Sequence, residues 1–118
     1  MCHYRHHAHG DPFAVVGLQD ITAHIDFTAL AREAATTGLE LYGYTSQAQF
    51  LVNCGLTEVL AATGAKNTGA YLPLAAQAQT LTSPAEMGEL FKVIAFGKRM
   101  PDVGAGFRRG DRRHTLTL

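Results

Sequence analysis

An α/β fold with two strands and several short helices is predicted by three features of this 118-residue sequence. Residues 39–45 and 91–99 are β-forming stretches with a period of two, a helical apolar stripe runs from Phe27 to Thr37, and short glycine-ended helical stretches lie between the strands. A two-stranded sheet is marginal by itself, so the same features predict that the rest of the sheet comes from outside these residues.

The chain suits one small domain with a core and is too short for two. An apolar fraction of 47%, a charged fraction of 17% and zero formal net charge describe a globular chain whose overall charge names no partner. Cys2 and Cys54 are too few and too far apart for a disulfide framework or a paired zinc ribbon, which points to a reducing compartment. No apolar run reaches the roughly 18 residues of a spanning helix, and the start carries histidines where a signal peptide carries an apolar core. A cytoplasmic protein without a membrane partner is expected.

Residues 1–20 read as an arm, with Gly10, Pro12 and Gly17 and no period, although Cys2 to Arg5 could finish a strand. In "ITAHIDF", Ile21, Ala23, Ile25 and Phe27 alternate with Thr22, His24 and Asp26, which predicts a short extended segment with one buried face. Phe27, Leu30, Ala31, Ala34 and Ala35 then form one helical stripe, capped by Asp26 and ended at Gly38. Leu39 to Thr45 is expected as a strand, and Ser46 to Cys54 as a helix stopped by Gly55. "LTEVLAATG" predicts a helix capped by Thr57 and ended at Gly64. Leu72 to Leu81 predicts another, with Pro73 in its first turn. Ser83, Pro84 and Glu86 have the spacing of a capping box, so one or two helical turns should follow. Phe91 to Arg99, apolar on both faces at its centre, predicts a strand buried on both sides. Residues 21–99 therefore read as helix, strand, helices, strand, and residues 100–118 as a basic tail.

At "GLQDITAHIDFTALAREAATTGLELYGYTSQAQFLVNCG", at "MGELFKVIAFGKR" and at the closing "GDRRHTL", the sequence resembles the C-terminal portion of the MidA-type S-adenosylmethionine-dependent methyltransferases, whose mitochondrial members assist complex I assembly. The resemblance implies the C-terminal part of a class I, Rossmann-like methyltransferase sheet. Leu39 to Thr45 would be its sixth strand, Phe91 to Arg99 its seventh, and "CHYRHH" the arm after the fifth. It also implies S-adenosylmethionine as cofactor, although the segments that hold it in the family have no counterpart here. A cofactor of this kind needs a glycine-rich turn between a strand and a helix, with an acidic residue beyond it. The only glycine run, Gly104 to Gly110, leads into arginines and is rejected, so no cofactor-binding residue is assigned. The expectation is a fragment, a truncated product or half of a split enzyme, inactive alone.

Four of the six histidines, His3, His6, His7 and His9, crowd into the arm. Imidazoles can bind zinc, but structural sites draw ligands from two segments, and no second pair exists, so no metal is expected. An arm that faces solvent or substrate accounts for them better. Through the resemblance, Tyr4, Arg5, His6 and Asp11 would lie near the mouth of the active site. Asp20, Thr22, His24 and Asp26 would point one way along an extended segment, where carboxylates beside an imidazole could hold a cationic acceptor such as an arginine guanidinium. Asp26 as a simple helix cap and His24 as a hydrogen-bonded histidine are the competing readings. Gln47, Gln49 and Phe50 read as a solvated helix face. Lys98, Arg99, Arg108, Arg109, Arg112 and Arg113 concentrate basic charge near the end, but only Phe107 interleaves, so a solvated or internally paired tail is expected rather than a nucleic-acid partner.

Part of a methyltransferase acting on protein arginine is the leading functional expectation, with no residue assigned to catalysis. Tyr4, Arg5, His6, Asp20, Thr22, His24 and Asp26 would bind substrate. The alternative is a non-catalytic binding or assembly subunit. With an open sheet edge, the free chain is expected to be dimeric, aggregated or loosely folded, and to associate with the N-terminal half of a family member.

Overall fold

The computed structural model describes the backbone of residues 1–118 and every side chain except those of residues 65, 66 and 68. At the start of the chain, Cys2–Tyr4 (β1), His7–His9 (β2) and Asp20–Ile21 (β3) form a small antiparallel sheet in the order β2-β1-β3. Arg5 and His6 join β1 to β2 as a two-residue turn, both with positive φ, at 45° and 67°. That is the hairpin geometry matching strand twist, usually built with Asn or Gly. The arm is thus more ordered than its composition suggests.

The expected extended segment after it is much shorter. The last bond of this pairing runs from the Thr22 N–H to the Met1 carbonyl at 2.8 Å. Residues 22–26 then run without regular structure, and Ile21 and Ile25, expected to be buried, are exposed at 63% and 60%.

Helix α1, Phe27–Thr36, follows the sequence closely. Asp26 caps it by accepting from Ala29 N–H at 3.0 Å, Ala31 and Ala34 are buried, and Gly38 takes a φ of 74° beyond its end. Strand β4, Glu40–Ser46, pairs antiparallel with β5, Lys92–Gly97, through a register shift between Leu41 and Gly43. Phe27 of α1 lies on Tyr44 of β4, with ring centroids 5.2 Å apart. Contrary to expectation, β5 is half-buried along most of its length rather than covered on both faces, since among the described residues its one strand partner is β4.

The intervening helices are α2 (Gln47–Asn53), α3 (Leu56–Lys66), α4 (Thr68–Thr82) and α5 (Met87–Leu90). Ser46 caps α2 by accepting from Gln49 N–H at 3.4 Å. Helix α3 starts before Thr57 and runs through Gly64, because Gly55, with a φ of 94°, turns the chain into it without a side-chain cap. Helix α4 starts earlier than expected because Asn67 caps it, which places Pro73 in its interior. The N–H that Pro73 lacks would have bonded Gly69, in the first turn. The capping box at Ser83 does not form. Instead the Ser83 carbonyl accepts from Glu86 N and Gly88 N, and α5 is a single turn. Gly88 is required there because a Cβ would overlap the Thr82 backbone.

Residues 100–118 are no loose tail. A 3-10 turn at Ala105–Phe107 buries Phe107 to 7% exposure against β4 and α2, and the chain returns along β4 to a second 3-10 turn at Arg113–Thr115. Phe107 lies where a Cβ on Gly43 would sit, and its ring centroid is 5.4 Å from that of Phe50.

The molecule is open for its length. Its radius of gyration is 17.6 Å, against about 13.5 Å for a compact domain of this size. It exposes 8460 Å², where a compact monomer of 12.7 kDa exposes about 6,200 Å². The buried apolar residues among those described are Cys2, Ala31, Ala34, Tyr44, Ala78 and Phe107. Phe13, by contrast, is 85% exposed. No helix of the described residues is long and apolar enough to cross a membrane.

Candidate functional site

The arm sheet sorts its side chains by register. Cys2 pairs with His9 and with Ile21, Tyr4 pairs with His7, and His3 pairs with Ala8 and with Asp20. Alternation therefore puts Cys2, Tyr4, His7, His9 and Ile21 on one face and His3, Ala8 and Asp20 on the other. Asp20 has an imidazole as its cross-strand neighbour, and that imidazole belongs to His3 rather than to His24. Arg5 and His6 occupy the hairpin tip, both exposed, and the Arg5 guanidinium lies 5.4 Å from the centroid of the Tyr4 ring. A cation already stacked on an aromatic ring is held at the tip of a hairpin that the strand pairing fixes.

The remaining candidates are spread along the segment after β3. The Thr22 hydroxyl donates to the Met1 carbonyl at 3.2 Å, and the Thr22 carbonyl accepts from the amino terminus at 2.8 Å, so this threonine closes the arm sheet. His24 is exposed. Asp26 is exposed and uses Oδ1 to cap α1. Asp20, Thr22, His24 and Asp26 do not share one continuous strand, since β3 ends at Ile21. Asp11 sits in the loop after β2, where Oδ1 accepts from Phe13 N–H at 2.9 Å and its own N–H donates to His9 Nδ1 at 3.3 Å. Among the described residues, no three His, Cys, Asp or Glu side chains gather as metal ligands. Cys2 is buried and Cys54 exposed, both as free thiols.

A second polar cluster, absent from the sequence reading as a unit, lies where the C-terminal segment meets β4 and α5. Glu89 Oε1 accepts from Arg112 Nη1 at 2.5 Å and from Lys92 Nζ at 2.8 Å. These two cations, Arg112 first, hold the Glu89 carboxyl below its ordinary range, and Glu89 in turn raises the Arg112 guanidinium. Asp111 accepts from Arg113 Nε at 2.5 Å and from the Tyr44 N–H at 3.3 Å. Burial pushes the Asp111 carboxyl up, but the hydrogen bonds from Arg113 and Tyr44 outweigh it and leave it lowered. Asn53 donates to the carbonyls of Gly106 and Arg109, both at 2.8 Å. The available signal was one acid, Asp111, set inside "RRGDRR". Two open hollows accompany these regions. One of ≈530 Å³ is lined by Leu41, Asp111, Arg113, His114 and Leu118, and one of ≈290 Å³ by Met1, Ala8, His9 and Gly10. The larger belongs to β4 and the C-terminal segment, away in sequence from the arm that carries the predicted site residues.

The described residues do not build a cradle for S-adenosylmethionine. Two of the three glycines of the Gly104 to Gly110 run are already covered by protein, since a Cβ on Gly106 would overlap the Phe50 ring and one on Gly110 would press on the Gln49 side chain at 2.7 Å, while Gly104 alone stands open. Backbone covered at Gly106 and Gly110 cannot close around a cofactor as a glycine-rich turn does.

The profile of a family described as "Putative S-adenosyl-L-methionine-dependent methyltransferase" matches residues 1–45, which span the arm, α1 and all of β4 except Ser46. A crystal structure of a "likely methyl transferase" from Burkholderia thailandensis, bound to S-adenosyl-homocysteine, is 55% identical with a TM-score of 0.84, covering 98% of this chain and 30% of that one. A native crystal structure of an uncharacterized protein of the same superfamily and organism is also 55% identical, with a TM-score of 0.83, covering 98% of this chain and 31% of the other. No curated protein matches. This chain thus spans about a third of the length of the solved structures it matches. Identity at this level over almost every residue, with the fold retained, makes the chain similar to one part of a protein of this S-adenosyl-L-methionine-dependent methyltransferase kind.

Proposed function

We propose that these residues are the C-terminal, acceptor-facing part of a class I methyltransferase that modifies arginine in a protein substrate. The observation that carries this reading is the 55% identity and 0.84 TM-score to a structure bound to S-adenosyl-homocysteine. The cofactor is S-adenosylmethionine, and it is held by other parts of the family fold, since the glycine run here is spent on Phe50 and Gln49. The share of these residues is to bind and align the acceptor, which matters because transfer to nitrogen depends on position more than on a nucleophilic side chain.

Tyr4, Arg5 and His6 at the hairpin tip face the protein substrate, and Asp20 accepts hydrogen bonds from its guanidinium. His24 and the outer oxygen of Asp26 extend that polar rim, while Thr22 holds the arm in register. A carboxylate acceptor for a forked guanidinium makes charge-assisted bonds about twice as strong as neutral ones.

The test is a single polypeptide that joins the remaining residues of the Burkholderia thailandensis relative to this chain, assayed for cofactor binding by calorimetry and for methyl transfer to arginine-bearing proteins. It is expected to bind S-adenosylmethionine and methylate arginine, with KM raised about tenfold or more by Asp20→Asn, the loss of one charged hydrogen bond. The chain alone is expected to do neither. Cofactor binding without arginine methylation overturns the acceptor, and failure to bind cofactor overturns the enzymatic reading.

A further inference from the structure

Between β2 and β3 the chain makes a loop, residues 11–19, that is tied at its foot and apolar at its tip. Gln19 Nε2 donates to the Pro12 carbonyl at 2.9 Å, and Asp11 Oδ1 accepts from the Phe13 N–H at 2.9 Å. Nearer the tip, the Leu18 N–H donates to the Val15 carbonyl at 3.0 Å. Phe13, Val16 and Leu18, held on this frame, are each more than two-thirds exposed. Val15 keeps a φ of 47°, where a β-branched residue is rarely found, so the bonds of the loop impose its shape against a local preference.

The main chain of the tip belongs at a surface. The N–H groups of Val15, Val16 and Gly17 have no hydrogen-bond partner among the described residues. Main chain left open in this way is costly to bury in a dry core, which is why connecting loops run over the outside of domains. Large apolar side chains on such a frame suit a partner that binds and leaves.

Charge at the foot indicates which partner. Residues 12–19, Pro-Phe-Ala-Val-Val-Gly-Leu-Gln, carry no charge, and an acid stands on each side, Asp11 before and Asp20 after. A polypeptide with a cationic side chain for a carboxylate and an apolar side chain beside it complements both parts. Asp20 is the residue given above to the acceptor guanidinium, so the loop rises next to the place where that group would be held.

We infer that the loop of residues 11–19 selects protein acceptors that carry a large apolar side chain beside the arginine, with Phe13 and Leu18 as its contacts. The inference rests on the acceptor reading above and extends it from the arginine to the residues around it.

The test is binding rather than methyl transfer, so the two readings can fail separately. Fluorescence anisotropy on the joined polypeptide, loaded with S-adenosyl-homocysteine, compares three short labelled peptides: one arginine flanked by leucines, the same arginine flanked by serines, and a glutamine flanked by leucines. The leucine-flanked arginine peptide is expected to bind about tenfold more tightly than its serine-flanked counterpart. Phe13→Ser combined with Leu18→Ser should abolish that ratio, and Phe13→Leu should keep most of it. Thermal midpoints of the variants should match the parent, because the altered side chains are exposed. The arginine and glutamine peptides read Asp20 instead. If those two bind equally while the leucine preference persists and depends on the loop, the arginine reading fails and apolar selection by the loop stands. Equal binding of the leucine-flanked and serine-flanked peptides overturns the inference. So does a leucine preference that survives both serine substitutions.

Discussion

Asp26 closes the start of α1 with a single 3.0 Å bond from Ala29 N–H, and the helix it caps has no acidic residue in its first turn to share the task. Asp26→Ala should therefore destabilise the chain by about 1 kcal/mol, and Asp26→Ser by much less, read as shifts of the thermal midpoint by circular dichroism. A loss with alanine and recovery with serine identifies the cap. Equal loss with both would mean that the charge, not the hydrogen bond, is what α1 uses. At this scale the sequence was most informative where one residue acts on its near neighbours, as Asp26 does at the start of α1. It misled where a side chain competes with its own main chain: Ser83 offers its carbonyl, not its hydroxyl, because the turn at Pro84 brings Glu86 N and Gly88 N onto that oxygen. Among the candidate site residues, the type of chemistry was legible and the direction was not. Asp20 meets His3 rather than His24, a pairing set by hairpin register and invisible to alternation along one segment.

The elements divide in the same manner. Helices α1 and α2 and strands β4 and β5 carry their period in the sequence, and they form close to where it places them. The C-terminal segment has no period, because its order comes from Phe107 packed where Gly43 lacks a side chain and from bonds that span more than fifty residues. Its attachment is partly ionic, which gives it a pH dependence with a definite sign. Glu89 and Asp111 lie below their ordinary values of 4.5 and 3.8 when folded, so the unfolded or detached segment binds more protons as acid is added. Their contribution is complete above those ordinary values and is lost as pH falls through the lowered folded ones. Both pairs are substantially solvent-exposed, so the contribution per pair is modest. Cleavage by a protease active in acid should therefore accelerate between residues 107 and 113 below about pH 4, relative to cleavage within α1. Glu89→Gln should shift that onset upward or remove it. Unchanged relative cleavage down to pH 2 would show that Phe107 and Asn53 hold the segment without the carboxylates.

For the whole molecule, area sets the expectation. An unfolded chain of 12.7 kDa exposes about 18,400 Å², so folding to 8460 Å² buries roughly 10,000 Å², against about 12,200 Å² for a compact domain. The shortfall is apolar in large part, with Phe13, Val16, Leu18, Ile21 and Ile25 exposed in one stretch of the chain. Since the urea m value scales with the area exposed on unfolding, the free chain should show an m value about four-fifths of that for a compact domain of equal length. It should also bind a hydrophobic dye, as loosely packed states with uncovered apolar surface do. Joining the chain to the remainder of the Burkholderia thailandensis relative should remove the dye binding in proportion to the surface covered. A full-sized m value with no dye binding in the free chain would mean that the arm folds back on the ribbon in solution, and that the excess surface is not what draws the partner.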